Sequence, residues 1–146
     1  MPSAPSYWLT SIKDEAESDS ISVLRKLIQE RRLFVFGART PGRTKIAKGD
    51  WLCFYAAKRG IVGHARICSS MRELSDPIVR AGVRFFWAVE LDSIEIYPDN
   101  SHILSPEVRV RLDAFKGKTD ITMWSWFVQA TRRITEHDFH ILTTKA

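Results

Sequence analysis

The architecture follows from KGDWLCFYAAKRGIVGHARIC, residues 48–68. Its first three residues predict a turn, and Trp51–Ala56 then predicts a strand dense in aromatic side chains. Residues 58–60 form a compact turn signal, and Ile61–Cys68 predicts the return strand. Gly63 lies inside that strand, which predicts a bulge or a close approach of another backbone. We therefore predict an antiparallel hairpin with its tip at residues 58–60.

Further strand-like and helical segments flank this hairpin on both sides. Strands are predicted at Tyr7–Thr10, Leu33–Phe36, Val83–Leu91 and Ile94–Tyr97, and Trp124–Ala130 is predicted to be extended. Apolar residues at helical spacing after Ser20 predict one helix, a short segment begins at Ser105-Pro106, and residues 69–82, with Pro77, are predicted to be a connection.

The last helix is predicted to begin at Thr135, because two start signals agree there. Thr135 and Asp138 have the spacing of a capping box, and Ile134 and Phe139 have the spacing of a hydrophobic staple. The whole pattern predicts an α+β fold of about six short strands and two or three short helices, of the barrel or sandwich kind.

Composition fits a single domain over residues 1–146. The chain has 146 residues, of which 45% are hydrophobic and 11% aromatic, which is enough for a substantial core. No apolar run reaches the ~20 residues of a membrane span, and Met1–Ser6 lacks the features of a signal peptide. We therefore expect a cytoplasmic protein without a membrane partner. Cys53 and Cys68 are expected to be small buried thiols.

Charge points to a polyanionic partner. The formal net charge is +5, and the lysines and arginines occur in short clusters. Four acidic residues are concentrated in residues 14–19, so the remaining surface is more basic than the total indicates. A basic surface favours nucleic acid, although a surface that only serves solubility has the same charge.

Residue patterns that carry catalysis or hold a metal are weak in this chain. The sequence has no nucleophile elbow, no phosphate-binding loop and no carboxylate pair set apart for acid–base chemistry. His137 and His140 have a possible zinc-ligand spacing, but a third ligand would be remote in sequence. We predict no enzymatic activity, no catalytic residue, no metal and no cofactor.

Aromatic residues exceed what a small barrel core requires. They include Trp8, Phe36, Trp51, Tyr55, Trp87, Trp124 and Trp126. Two or three left at a rim would stack on nucleobases, and such stacking contributes about 1–3 kcal/mol per base. Thr10 and Ser11, just past the first strand, can bond a base edge, and Arg39 and Arg43 can reach phosphate.

The ordered motifs resemble one known family. They are Tyr7-Trp8, Phe36-Gly37-Ala38-Arg39, Lys48-Gly49-Asp50 followed by Ala57, Gly60-Ile61-Val62-Gly63, and Arg132 through Phe139. This order resembles the EVE domain, a member of the PUA-like superfamily related to the YTH domain, from about Tyr7 to Leu142. The resemblance implies a PUA-like pseudo-β-barrel that binds modified bases in DNA or RNA. Phenylalanine stands here where that family usually has tryptophan after the second strand.

These observations together predict a module that recognises a modified or flipped-out base in an aromatic pocket with a basic rim. Trp8, Phe36 and Trp87 would stack on the base, Thr10, Ser11 and the Gly37–Ala38 backbone would bond its edge, and Arg39, Arg43 and Arg132 would hold phosphate. Two alternatives remain open. An enzyme acting on RNA or a nucleotide would need a titratable pocket residue with a shifted pKa. A protein–protein adaptor would show no basic rim.

Overall fold

The computed structural model describes residues 4–12, 25–37, 43–56, 59–80, 83–98, 101–118, 122, 124–128 and 131–144. Seven strands lie within these residues: β1 Tyr7–Ile12, β2 Leu33–Phe36, β3 Trp51–Ala56, β4 Gly60–Ile67, β5 Arg72–Arg80, β6 Val83–Ile96 and β7 Arg132–Ile134. The same residues include α1 Pro106–Arg109, α2 Ser125–Val128 and α3 Glu136–Thr143, a π-helical segment Arg25–Glu30 and 3-10 turns at Arg43–Lys45 and Asp113–Phe115. The α+β class is confirmed.

The strands form one mixed sheet that does not close on itself. Its order is β2-β6-β4-β3-β1-β7, and β5 pairs the first part of β6. β1 runs parallel to β3, with Tyr7 opposite Trp51, and antiparallel to β7, with Tyr7 opposite Ile134. The first strand therefore lies between the central hairpin and the last strand.

The predicted β3–β4 hairpin is confirmed. The register shifts between Phe54 and Tyr55, which is the bulge expected beside Gly63. A Cβ on Gly63 would lie 2.6 Å from the carbonyl oxygen of Glu95, so β6 approaches too closely for a side chain. Gly60 has a φ of 88° and packs against the backbone of His102. The described part of the tip is Arg59 and Gly60.

Two predictions around β6 are wrong. Residues 69–82 do not simply connect strands, because Arg72–Arg80 forms β5. Pro77 is accommodated there because the register shifts between Glu73 and Ile78. The segments predicted as two strands at 83–91 and 94–97 form the single strand β6, in which Ser93 has a φ of 50°.

Alternate side chains of β3 enter two separate hydrophobic cores. Leu52, Phe54 and Ala56 belong to what we call the first core, which also contains Trp8, Phe34 and Phe36. Cys53 and Tyr55 belong to the second core, which contains Phe115, Phe127 and Phe139 from the C-terminal half. A strand buried on both faces explains why its sequence is almost continuously apolar.

The C-terminal helix begins where the sequence predicts. The hydroxyl of Thr135 accepts a hydrogen bond from the backbone N–H of Asp138 at 3.0 Å. The Asp138 carboxylate does not complete a capping box, because it accepts from the backbone N–H groups of Asp113 and Ala114 instead. The predicted extended segment at Trp124–Ala130 is wrong: residues 125–128 form α2, and Phe127 anchors it in the second core.

Candidate nucleic-acid interface

The exit of β1 meets α2 and the start of β7. The Thr10 and Thr131 hydroxyls are hydrogen-bonded at 2.7 Å, and both residues are buried. The Ser11 hydroxyl donates to the carbonyl oxygen of Val128, the last residue of α2. The first strand thus meets two neighbouring C-terminal segments, 117 and 121 positions away, where the sequence predicts base-edge contacts.

Arg132 is fixed at the same junction. It lies opposite Leu9 in the β1–β7 register, and its guanidinium lies 5.0 Å from the Trp126 ring centre and 5.2 Å from that of Phe127. Its Nε is enclosed and makes no hydrogen bond within the described residues. Burial lowers the pKa of Arg132, and the Asp138 carboxylate opposes that shift. The side chain is half-buried, so its charge is held in place and partly shielded from water.

Trp126, which contacts this arginine, and Trp124, two positions earlier, are not among the predicted site residues. Trp124 and Trp126 are both half-buried. The Arg109 guanidinium lies 4.7 Å from the Trp124 ring centre, and the Lys118 ammonium lies 4.9 Å from that of Trp126. The two-residue spacing of these rings is typical of a strand, but Trp124 directly precedes the short helix α2 and Trp126 lies within it, each beside a cation.

Trp8 occupies the core. It is 3% exposed, and its indole N–H donates to the Asp50 carboxylate at 2.9 Å. The same carboxylate accepts from the backbone N–H groups of Ser6 and Ala47, so Asp50 caps the predicted turn before β3 and also holds the start of β1. Trp8 therefore presents no face to a base, and we assign it to the core.

Phe36 is also a core residue. It is 2% exposed and packs edge-on against Phe34, with 5.1 Å between ring centres. Trp87 lies opposite Phe36 in the β2–β6 register and is half-buried against the first core. Gly37 directly follows β2. Ala38 and Arg39 lie outside the described residues, and for Arg43 only the backbone, at the start of a 3-10 turn, is described.

Of the predicted site residues, the structure thus brings Thr10, Ser11 and Arg132 together at the β1 exit. It places Trp8 and Phe36 inside the first core, with Trp87 beside them. β6, β4 and β3 separate β2 from β1 in the sheet, and a contribution of the Gly37–Ala38 backbone to the site stays a prediction, because Ala38 lies outside the described residues.

A shallow depression of about 380 Å³ runs along β7, lined by residues 113–114, 132–135 and Asp138, so Arg132 borders it as well. At its edge, ligand-type atoms of Asp113, His137 and Asp138 lie within 4.8 Å of one another. Asp113 already accepts from Thr135, and hydrogen bonding from Lys116 is the main cause that lowers the pKa of its carboxyl. The Asp138 carboxylate accepts hydrogen bonds from two backbone N–H groups. Contacts within the protein therefore account for the close arrangement of these three side chains.

No protein-family model matches the sequence, and no curated protein matches it significantly. Solved structures are similar in fold. Rpa0253 from Rhodopseudomonas palustris superposes with a TM-score of 0.54 at 16% identity, covering 94% of this chain and 90% of that chain. Atu2648 from Agrobacterium tumefaciens superposes with a TM-score of 0.53 at 15% identity, over 94% and 90%.

A third similar structure is that of a human protein on DNA. Human THYN1, in complex with DNA that contains 5-methylcytosine, superposes with a TM-score of 0.53 at 16% identity, covering 92% of this chain and 94% of that chain. At such identities the likeness shows that the fold is shared, and it extends over nearly the whole chain.

Proposed function

We propose that this chain, which has the PUA-like fold of EVE domains, binds nucleic acid at the exit of β1 and recognises a modified base there. The proposal rests on Arg132, a cation fixed over two aromatic rings beside the hydroxyls that end β1. It is supported by the fold shared with THYN1, a protein solved on 5-methylcytosine-containing DNA. Binding, rather than catalysis, is the proposed activity.

Arg132 suits phosphate because its position is set before a ligand arrives. A guanidinium that packing already orients loses little conformational freedom on binding. Its partial burial also weakens the screening of its charge by water. The net charge of +5 adds a long-range attraction that steers a polyanion toward the protein.

Ser11 is better placed than Thr10 to bond a base edge. Thr10 is 3% exposed and bonded to Thr131, so its role is to position the junction. Ser11 is half-buried and donates to Val128, which leaves its oxygen free to accept a hydrogen bond. An exocyclic amino group of a base is a donor that such an oxygen can accept from.

Recognition of a modified base would add the burial of its apolar group to the free energy of binding. Extruding a base costs a few kcal/mol, and stacking with edge contacts must offset that cost. Burying one additional methyl group contributes about 0.8 kcal/mol, or roughly fourfold in affinity. Preference for a methylated base should therefore be modest unless hydrogen bonding to the base edge reinforces it.

The first test measures how much the charge of Arg132 contributes to oligonucleotide binding. A labelled oligonucleotide with one 5-methylcytosine and its unmodified twin are titrated at several salt concentrations. Arg132→Gln should weaken binding to both about equally and reduce the salt slope by about 0.7 to 0.9, the value of one phosphate contact. Arg66→Gln is the matched control, because it removes the same charge from a guanidinium already paired with Asp92 at 2.8 Å. Equal losses for both variants would show that only net charge matters.

The second test measures selectivity. Ser11→Ala should narrow the difference in affinity between the modified and unmodified oligonucleotides. Thr143→Ala controls for the loss of a hydroxyl that donates to a backbone carbonyl, since Thr143 donates to Phe139 at 2.7 Å. Equal affinity of the unmutated protein for both oligonucleotides would refute recognition of this modification. No binding to either would favour the adaptor alternative.

We also propose a cytoplasmic location. Among the described residues, no helix is long and apolar enough to cross a membrane. Imaging of a fluorescent fusion in the native host would test the location directly.

A further inference from the structure

We propose that Trp124 and Trp126 form a stacking platform for unpaired bases, and that the ligand is therefore single-stranded nucleic acid. This inference rests on the proposed function and names the form of the nucleic acid that binds. The two tryptophans with Arg109 and Lys118 are called the tryptophan platform below. The platform adjoins the β1 exit through Arg132, which contacts the Trp126 ring.

Trp124 is supported from the protein side. Arg109 is buried, and its Nη1 donates to the Leu104 carbonyl oxygen at 2.6 Å. Because its guanidinium lies 4.7 Å from the Trp124 ring centre, a buried cation covers the inner side of that ring. Tyr55 meets the same indole edge-on, with 6.0 Å between ring centres. The half-exposed remainder of Trp124 faces solvent in a fixed orientation.

Trp126 has the same kind of support. Phe115 lies 5.0 Å from its ring centre, Phe127 lies 5.8 Å away, and both are buried. Arg132 bridges Trp126 and Phe127. Lys118 is the exposed member, and its ammonium lies over the ring at 4.9 Å. A flexible lysine can leave the ring for a phosphate at little cost, because an exposed cation–π contact contributes about 0.5–1 kcal/mol.

The cations determine which guest the platform accepts. Aromatic cages often take quaternary ammonium groups, but Arg109, Lys118 and Arg132 would repel a cationic guest. Nucleic acid supplies both complements, a flat ring for each indole and a phosphate for the cations. A duplex buries the faces of its bases in the stack, whereas a single strand exposes them. The chemistry therefore favours an unpaired strand.

The experiment compares three labelled probes of one sequence: single-stranded DNA, single-stranded RNA and the blunt DNA duplex. Fluorescence anisotropy gives the affinity for each. We expect the single strands to bind more tightly than the duplex. Trp124→Leu and Trp126→Leu should each weaken single-strand binding by about 5-fold to 150-fold, the value of one base–aromatic stack. The DNA and RNA probes show whether the platform distinguishes the two sugars.

Two controls separate stacking from folding. Trp126→Phe keeps an aromatic face and should restore most of the affinity lost in Trp126→Leu. Phe86→Leu removes an exposed ring on β6, 41% exposed, and should leave binding unchanged. Thermal unfolding of each variant identifies any variant that is destabilised. If Trp126→Leu is destabilised, the affinity of Trp126→Phe decides whether binding requires the aromatic ring. Lys118→Gln should reduce the salt slope without removing the preference for single strands.

The outcomes distinguish this inference from the proposed function. Selective binding by the unmutated protein with unchanged affinity in both leucine variants would overturn the platform and leave the β1-exit site in place. A stronger preference for duplex would likewise overturn it. Loss of binding in the leucine variants, with no preference for a modified base, would support the platform and refute modified-base recognition. A protein that binds none of the probes would refute both.

Discussion

The first core and the tryptophan platform are both rich in aromatic rings, but their rings contact different groups. In the first core, the Phe34 ring packs against those of Phe36 and Phe54, with 5.1 and 5.2 Å between ring centres. The indole N–H of Trp8 donates a hydrogen bond to the buried Asp50 carboxylate. The rings of Trp124 and Trp126 instead lie against cations and stay half-exposed. Aromatic content alone therefore does not distinguish the first core from the proposed platform, whereas exposure and neighbouring cations do.

The largest expected effect tests whether Phe36 is purely structural. Phe36→Ala opens a cavity in the first core and should lower the free energy of unfolding by about 3–5 kcal/mol. Urea denaturation checks this through a lower midpoint at an unchanged m-value. At low temperature, where the variant stays folded, its affinity for oligonucleotides should equal that of the unmutated protein. If the variant were stable but did not bind oligonucleotides, Phe36 would belong to a base-binding site and its role would not be purely structural.

A second substitution tests the polar anchor of the first core. Asp50 accepts three N–H groups, from Ser6, Trp8 and Ala47, within 3.0 Å. Asp50→Asn turns an amide N–H₂ toward at least one of those donors and should lower the free energy of unfolding by about 1.5–3 kcal/mol. Asp92→Asn is the control, because it breaks an exposed ion pair with Arg66 and should cost less than about 1 kcal/mol. Similar losses for both variants would contradict the anchoring role of Asp50.

The smallest expected effect concerns a histidine beside the second core. His64 is hydrogen-bonded to the Tyr97 hydroxyl and contacts the rings of Trp51 and Phe139. Burial lowers the pKa of His64, and the nearby Glu95 carboxylate opposes that shift. The unfolded chain therefore binds a proton more readily than the folded one. Stability should be complete above about pH 6.5, the usual histidine pKa, and should fall as the pH drops below it.

Unfolding measured at pH 7.5 and pH 5.5 checks this dependence. His64→Gln should reduce the loss of stability between the two pH values. A loss that is the same in His64→Gln and in the unmutated protein would assign the pH dependence to other groups. No comparable dependence is expected from the contacts of Phe34, Phe36 and Phe54, because those side chains do not titrate.

Local signals in the sequence predicted those parts of the fold that local contacts determine. The β3–β4 hairpin follows from its turn residues, and Thr135 caps α3 through a bond to Asp138 three residues away. Gly63, predicted to mark a bulge or a close approach because it is a glycine inside a strand, lies beside a register shift and against the Glu95 carbonyl. The turn at residues 48–50 was predicted, and the structure adds that Asp50 caps it and bonds the indole of Trp8, 42 positions away.

Long-range packing determines the parts that the sequence did not predict. β5 contains Pro77 and polar residues typical of a loop, but its pairing with β6 stabilises it as a strand. Trp124, Trp126 and Phe127 have strong strand propensity, and the burial of Phe127 in the second core overrides it. The Asp138 carboxylate bonds residues 24 and 25 positions away, so its spacing from Thr135 predicted only half of its role.

The position of β1 between β3 and β7 has a consequence for biosynthesis. Thr10 and Thr131 are hydrogen-bonded although 121 positions separate them. The β7-facing edge of β1 can therefore be paired only after β7 has left the ribosome. At about 5–20 residues per second, the first strand waits several seconds with one hydrogen-bonding edge unpaired. The nascent chain is therefore exposed to strand-mediated association during that interval. Chaperone contacts should be concentrated there, ahead of the release of residues 132–134.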